Sequence, residues 1–267
     1  MNIKPFKMYH PKAEVEAAET RGQCWRGDTV EEGMELCRYQ TIDRIFDRYL
    51  PREGKILESG CGLGRWVFHL RNKGLNVVGI DLVEGAIQTA KAYDPTAPVF
   101  VDDVLHGKFP DGSFKAVISL GVVEHFEEGP EQAFQEIKRL LSPDGLLFLS
   151  VPTQNIFRYL LINHLKRGKM YLRKLAGHKY LFEEYRYTRK EMTTLLRDAG
   201  FEIIEMVPDE YNLPKSMGLY VDLPFLRHRS KRWEMNTLGK LLDRLFRSIS
   251  PWFACSSTMW VCKPHGR

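Results

Sequence analysis

Residues 56–66 read Ile56-Leu57-Glu58-Ser59-Gly60-Cys61-Gly62-Leu63-Gly64-Arg65-Trp66. Three glycines at alternate positions follow a short apolar run and precede a helical pattern, which predicts a sharp turn from a strand into a helix. Glycine permits positive φ and lets the backbone approach a ligand closely. The helix N-terminus offers free N–H groups that can hold an anionic or carboxylate-bearing ligand. A plain tight turn uses the same residues, so the turn is weak evidence by itself.

Short apolar runs alternate with helical patterns on both sides of this turn. The five runs between residues 55 and 151 predict parallel strands joined by crossover helices; they are Lys55–Leu57, Asn76–Ile80, Pro98–Val101, Lys115–Leu120 and Leu146–Val151. Phe201–Val207 and Thr258–Cys262 predict two closing strands. The fold class that follows is α/β, with a doubly wound, mostly parallel, seven-stranded sheet.

Helix signals support this reading of the chain. Residues 130–141 have helical spacing and end before a Pro-Asp-Gly turn. Thr188 and Glu191 form a capping box at the start of a further helix, which Gly200 stops. Residues 33–49 carry one apolar helical face.

The chain divides into four predicted parts. Residues 1–50 form an N-terminal helical segment or lid, and 51–207 form the core with a helical cap inserted at about 152–187. Residues 208–256 form a basic, amphipathic insertion, and 257–267 form the final strand and tail.

Composition excludes several classes of protein. The 267 residues include 39 Lys and Arg against 34 Asp and Glu, a surplus too small to indicate nucleic-acid binding. The start of the chain lacks a secretory apolar core, and no stretch reaches membrane-spanning length, so we expect a cytoplasmic protein. The five cysteines show neither disulfide nor zinc spacing.

Asp81 adds a second, independent sign of ligand binding. It directly follows the predicted strand Asn76–Ile80, about twenty residues after the glycine turn. A carboxylate at that place can accept both hydroxyls of a ribose. A solvated strand-end Asp is the alternative, but the spacing favours nucleoside recognition.

These residues resemble the class I methyltransferases that use S-adenosylmethionine (SAM), in particular the ubiquinone-biosynthesis-like, small-molecule group. Glu58-Ser59-Gly60-Cys61-Gly62-Leu63-Gly64 is similar to the first motif of that family, and Val101-Asp102-Asp103-Val104 is similar to its third-strand exit. Ser119-Leu120-Gly121-Val122-Val123-Glu124-His125-Phe126 is similar to the fourth-strand exit. The resemblance spans roughly residues 50–207 and implies a Rossmann-like fold that binds SAM and releases S-adenosylhomocysteine.

The resemblance also implies roles for individual residues. Gly60, Cys61 and Gly62 would hold the methionine part of SAM with Glu58 nearby, and Asp81 would bind the ribose hydroxyls. Leu82 and Val104 would pack on the adenine, and Asp103 would accept a hydrogen bond from its amino group. Leu120 and Gly121, at the fourth-strand exit, would lie beneath the methyl donor.

Two positions depart from the family pattern. Lys115 stands where an acidic residue is usual, so a local ion pair is missing or reversed. Gly121 replaces the first acid of the metal site in the ubiquinone-type enzymes, and Glu124 with His125 alone make a poor metal site. We therefore predict no required metal.

The alternatives are separated by specific features. A NAD-dependent oxidoreductase shares the turn and the acid, but Arg65 and the Gly60-x-Gly62-x-Gly64 spacing disfavour it. A non-catalytic SAM-binding or scaffold protein stays open. A nucleic-acid methyltransferase is disfavoured because the chain lacks an Asn-Pro-Pro-Tyr-like tetrapeptide and a recognisable RNA-binding appendage.

The acceptor is expected to be a small molecule, for example lipid-linked, a glycan or a natural product, attacked by in-line displacement. His125 is the candidate base, with a structural or substrate-binding role as the alternative. Trp25, Tyr185 and Tyr187 are candidate substrate-binding residues, and basic residues of the 152–187 cap favour an anionic acceptor group, although core packing and a solvated face explain such residues more often.

The stripe Leu238, Leu241, Leu242, Leu245, Phe246 and Ile249 predicts an amphipathic helix over 237–249. Most such stripes pack on their own domain. Peripheral contact with a membrane is the alternative and is not favoured by the sequence alone.

Overall fold

A computed structural model describes residues 5–12, 29–216, 218–253 and 255–265. Nine strands run through these ranges: β1 Phe6–Pro11, β2 Ile56–Ser59, β3 Val77–Asp81, β4 Val99–Val101, β5 Phe114–Leu120, β6 Leu141–Pro152, β7 Tyr180–Arg186, β8 Phe201–Asp209 and β9 Ser257–Pro264. The α-helices are α1 Val30–Cys37, α2 Ile42–Tyr49, α3 Arg65–Asn72, α4 Glu84–Tyr93, α5 Glu131–Leu140, α6 Asn163–Leu175, α7 Arg189–Asp198, α8 Gly218–Asp222 and α9 Thr237–Ile249.

Seven strands form one sheet in the order β4-β3-β2-β5-β6-β9-β8. The first five are parallel, and β9 runs antiparallel to both β6 and β8. The predicted mostly parallel, seven-stranded sheet is therefore confirmed. Every predicted strand lies at its expected place, although β6 begins at Leu141, five residues before the predicted start.

Alternating side chains along the central strands fill two separate cores, one on each face of the sheet. Along β5, Ala116 and Ile118 pack with α1 to α4, whereas Val117 packs on the opposite face with α5 and α7. Along β6, Phe148 belongs to the first core and Leu149 to the second. Helices on both faces make this the doubly wound arrangement.

The predicted helix cap at Thr188 is present, and Lys115 forms an ion pair. Thr188 and Glu191 make the reciprocal hydrogen bonds of a capping box at the start of α7. The Nζ of Lys115 lies 2.6 Å from the carboxylate of Asp144, so Lys115 forms an ion pair with an acidic residue of β6.

Two expectations for the added segments need correction. The N-terminal part is not wholly helical, because Phe6–Pro11 pairs antiparallel with Tyr180–Arg186 in a two-stranded sheet. The cap at 152–187 is not wholly helical either, because it contains the strand β7 as well as the helix α6. The helical pattern of 33–49 is divided between α1 and α2. Among the described residues, no helix combines the length and apolar character needed to cross a bilayer.

Candidate functional site

The glycine turn lies between β2 and α3 at the carboxyl edge of the sheet. Gly60, Gly62 and Gly64 have φ values of 80°, 53° and 76°, in the region that favours glycine. A Cβ placed on Gly60 would overlap the side chain of Val122. The turn therefore requires glycine at position 60, because the Val122 side chain already occupies the place of a Cβ.

Asp81 is joined directly to this turn. Its Oδ2 accepts a hydrogen bond from the Gly62 N–H at 2.7 Å, and its Oδ1 accepts one from the Val83 N–H at 2.8 Å. The N–H groups of Gly60 and Cys61 donate to the Ile80 carbonyl at 2.8 and 2.9 Å. The glycine turn and the strand-end carboxylate thus converge on one place, and each carboxylate oxygen keeps further acceptor capacity.

Glu58 lies buried beneath the turn. Its Oε2 accepts a hydrogen bond from the Val67 N–H at 3.0 Å. Burial raises the pKa of Glu58 to about 8, although the Arg65 charge and the Val67 N–H act in the opposite direction. Burial therefore favours the protonated form of this side chain.

A cavity of about 210 Å³ opens beside the turn. Three distant parts of the chain form its walls: the start of α1, the glycine turn with β5, and the insertion at 208–256. The lining residues are Thr29, Glu32, Gly33, Leu36, Glu58, Gly60, Cys61, Leu63, Arg65, Trp66, Leu120, Tyr211 and Trp233. The wall combines aromatic and aliphatic surface with a few charged groups, as is typical of small-molecule sites.

Arg65 holds two of these walls together. Its Nη1 donates a hydrogen bond to the Tyr211 hydroxyl at 3.0 Å. The pKa of Arg65 is raised because the neighbouring Tyr211, Cys37 and Glu58 outweigh the effect of burial. A permanent cation therefore borders the cavity.

The predicted adenine residues lie after β3 and β4, on the same edge of the sheet. Leu82 is 59% exposed, although it is a large apolar side chain, whereas Val104 is buried. Asp103 accepts a hydrogen bond from the Leu105 N–H at 2.9 Å, and the Asp102 N–H donates to the Asp81 carbonyl at 3.2 Å. Leu82, Asp103 and Val104 are not among the residues that line the cavity.

The exit of β5 places Leu120 in the cavity wall, and Gly121 follows with φ 71°. Glu124 is buried, and burial raises its pKa well above the usual range. His125 is exposed, with Nδ1 2.7 Å from the Glu183 carbonyl oxygen. Because a carbonyl only accepts, Nδ1 carries the proton and Nε2 carries the lone pair of the neutral ring.

No group of three or more His, Cys, Asp or Glu side chains suited to a metal ion occurs in the part of the chain that the structure describes. The expectation that no metal is required stays a prediction.

Of the three predicted substrate residues, the structure describes Tyr185 and Tyr187. Trp25 is outside the described residues. Tyr187 is 3% exposed within the second core, and the Tyr185 hydroxyl donates to the Glu127 carbonyl at 2.9 Å. Neither tyrosine lines the cavity described here. Tyr211 and Trp233 line it instead, so the 208–256 insertion has the position that we had expected for the cap.

Sequence reasoning missed the two insertion residues because no local motif marks them. Arg65, whose type and spacing disfavour a dinucleotide, also supplies the charged part of the cavity wall. The apolar face of 33–49 was recognised, but the lining role of Gly33 and Leu36 was not.

Comparisons with known proteins agree with this geometry. A family model described as a methyltransferase domain matches residues 31–206. A ubiquinone biosynthesis O-methyltransferase of Cupriavidus pinatubonensis is 29% identical over 164 residues, which cover 59% of this chain and 64% of that protein. One from Saccharophagus degradans is 29% identical over 175 residues, covering 63% of this chain and 72% of the relative.

Solved structures share the fold. A SAM-dependent methyltransferase of Methanosarcina mazei aligns with a TM-score of 0.57 at 21% identity, covering 84% of this chain and 98% of that one. A 1,6-didemethyltoxoflavin-N1-methyltransferase of Burkholderia thailandensis, solved with its substrate and S-adenosylhomocysteine, aligns with a TM-score of 0.56 at 15% identity, covering 98% and 100%.

Proposed function

The chain belongs to the class I SAM-dependent methyltransferases, and from this we propose that it transfers the methyl group of SAM to a small-molecule acceptor. The observation that carries the proposal is the hydrogen bond between the Gly62 N–H and the Asp81 carboxylate, beside a cavity lined by Glu58, Gly60 and Leu120. Since the alignment covers 64% of the Cupriavidus relative, the acceptor of that enzyme is not carried over to this chain.

The described residues fit SAM. Gly60 and Cys61 line the cavity, and Gly60 and Gly62 have positive φ, which suits the methionine part of SAM against the backbone of Gly60, Cys61 and Gly62. Asp81 has free acceptor capacity for the ribose hydroxyls. The exposed Leu82 and the buried Val104 offer apolar contact to adenine, with Asp103 as the acceptor for its amino group.

When bound, SAM supplies a methyl group on a sulfonium, which is electrophilic without further activation. The work of this chain is then to align the acceptor with the S–CH₃ bond and to exclude water. Alignment of two reactants supplies roughly 7 to 11 kcal/mol of barrier reduction. Leu36, Trp66 and Trp233 form the apolar wall that performs the second task.

We place the acceptor on the side of the cavity formed by Leu36, Arg65 and Trp233. An anionic group on the acceptor fits this side, because Arg65 is a permanent cation at the wall. The fold alone does not require an anionic acceptor; the proposal of an anionic group depends on Arg65.

The cofactor test is calorimetric titration of SAM and S-adenosylhomocysteine into the wild-type protein and two carboxylate variants. Asp81→Asn removes the charge at the proposed ribose site. Asp144→Asn removes a carboxylate that pairs with Lys115 near the start of β5, far from that site. We expect Asp81→Asn to bind SAM at least about tenfold more weakly, since hydrogen bonds to a charged group contribute roughly 1.5 to 3 kcal/mol each.

Asp144→Asn should bind SAM like the wild-type protein. Equal affinity of Asp81→Asn and wild type for SAM, or binding of NAD⁺ in place of SAM, would contradict the proposal.

His125 is proposed to accept a proton if the acceptor must lose one. Its Nε2 carries the free lone pair, since the Glu183 carbonyl holds the proton on Nδ1. With an acceptor found by mass-detected screening, His125→Ala should lower kcat and leave SAM affinity unchanged. His265→Ala is the matched control, because His265 directly follows β9, where its N–H donates to the Gly200 carbonyl. Unchanged turnover of His125→Ala would remove the histidine from the mechanism.

A further inference from the structure

The helix α6 and the π-helical segment Arg158–Ile162 before it turn their leucines outward. The five leucines of this face are 50 to 69% exposed; they are Leu160, Leu161, Leu165, Leu172 and Leu175. Tyr171 on the same face is 63% exposed. Soluble proteins rarely leave so many large apolar side chains of one helix uncovered, and such a surface marks an interaction site.

Cationic side chains of the same helix flank this apolar face, and Arg167, Lys169 and Lys174 are exposed. Arg167 lies over the Phe6 ring at 4.9 Å, and Lys174 lies 5.7 Å from the Tyr9 ring centre. Lys166 pairs with Asp222 at 3.2 Å. The helix therefore exposes its leucines together with the cations that flank them, whereas an ordinary surface helix buries its apolar side.

A second outward apolar face lies on α9. Leu238, Leu241, Leu245 and Ile249 are 51 to 63% exposed. Leu242 and Phe246 of the same helix pack inward on a small cluster with Leu226 and Met235. The stripe read from the sequence is thus split, because two of its six members pack on the domain and four face solvent.

The two faces belong to neighbouring parts of the molecule. Phe157, directly before the π-helical segment, contacts Phe246 of α9 with ring centres 4.8 Å apart. It also contacts Phe253 after α9 at 4.9 Å. These rings join the start of one leucine-bearing segment to the middle of the other.

The positive charge of this region indicates what kind of partner covers the exposed leucines. Between Asp144 and Glu183 the sequence contains no acidic residue, whereas it contains the cations Arg158, Lys166, Arg167, Lys169, Arg173, Lys174 and Lys179. Two copies of such a surface repel each other, which disfavours a second copy of the chain as the cover. Exposed leucines with flanking cations match the interface of a bilayer that contains anionic lipids.

We propose that α6, the segment before it and α9 form a docking surface for an anionic lipid bilayer. The leucines enter the apolar boundary of the bilayer, and the flanking lysines and arginines meet the headgroups. The surface is connected to the cavity, since Arg247 of α9 contacts Glu210 and the carbonyl of Tyr211 at 3.4 Å each. Docking therefore places the cavity of the proposed methyl transfer near a lipid surface, although it does not depend on that transfer.

The test is co-sedimentation of the full chain with vesicles of phosphatidylcholine alone and of phosphatidylcholine mixed with phosphatidylglycerol. Two variants remove one face each: Leu165→Ser with Leu172→Ser, and Leu241→Ser with Leu245→Ser. Ile204→Ser on β8 is the control, since Ile204 is 40% exposed and outside both faces. A charge variant, Lys169→Gln with Lys179→Gln, tests the headgroup contacts.

We expect the wild-type protein to bind the mixed vesicles and to lose that binding as salt rises. Each leucine variant should bind the mixed vesicles at least about tenfold more weakly, because it lacks two large apolar side chains that enter the bilayer. The charge variant should also bind the mixed vesicles more weakly, and Ile204→Ser should bind like wild type. The substituted leucines are exposed, so unfolding temperatures and SAM affinity should match wild type, which separates this test from that of the cofactor site.

Three results would overturn the proposal: no sedimentation with the mixed vesicles, equal binding to both vesicle types, or binding unaffected by both leucine variants. A concentration-dependent dimer that the leucine variants dissociate, in a protein that binds no vesicles, would identify a second copy as the true cover.

Discussion

Replacing Gly60 by alanine tests the glycine turn directly. Gly60 has φ 80°, and its added Cβ would overlap Cγ2 of Val122. A left-handed conformation costs an L-residue roughly 1 to 2 kcal/mol, and forcing an extra methyl group into a packed site costs roughly 1 to 3 kcal/mol. We therefore expect Gly60→Ala to lower the free energy of unfolding by roughly 2 to 5 kcal/mol.

The steric part of this cost can be separated by a second change. Val122 packs at the edge of the second core. If the overlap is real, Val122→Ala combined with Gly60→Ala should be less destabilising than the sum of the two single changes by roughly 1 to 3 kcal/mol. The backbone part, from φ, should remain in the double variant.

Urea unfolding followed by far-ultraviolet circular dichroism measures these energies, and calorimetry measures SAM affinity. Gly168→Ala is the control, because Gly168 lies within α6 with no neighbour near its added Cβ. That change should stabilise the helix slightly. A loss below about 0.5 kcal/mol for Gly60→Ala, or strict additivity with Val122→Ala, would refute the reasoning.

Three further predictions follow from single contacts. Thr188→Ala removes the cap of α7 and should lower the free energy of unfolding by about 1 kcal/mol in urea, whereas an unchanged midpoint would mean that the capping box with Glu191 contributes nothing. Burial raises the pKa of Glu58 from 4.5 to about 8, so its contribution to stability is complete below pH 4.5 and is lost as pH rises through 8; Glu58→Gln should flatten the measured pH profile of unfolding, and an identical profile would contradict this. A double-mutant cycle on Lys115 and Asp144 should give a coupling energy below about 1 kcal/mol, because both side chains are well exposed; a larger value would show a stronger pair than exposure allows.

Local features of the chain were predictable because each depends on a few neighbouring residues. The glycine turn, the capping box at Thr188 and the seven sheet strands follow from positive φ, side-chain hydrogen bonding and apolar runs. The convergence of Asp81 on the turn also followed, since parallel neighbouring strands end at the same edge of the sheet.

The short strand Phe6–Pro11 was not predictable, because its partner Tyr180–Arg186 lies about 170 residues away. The same reason applies to Tyr211 and Trp233 in the cavity wall, which no local pattern connects to Arg65. Long-range pairing has no signature in a single sequence window.

The sequence by itself thus determined the class of sheet, the bent backbone at Gly60 to Gly64 and the carboxylate that meets it, because backbone conformation and spacing are local properties. Only the tertiary structure decided which segments enclose the cavity and which apolar faces stay uncovered. A helical stripe such as that of α9 specifies a direction on the helix, but its surroundings depend on how distant segments pack. The protonated state of Glu58 is likewise a property of its burial, which arises only when the chain folds.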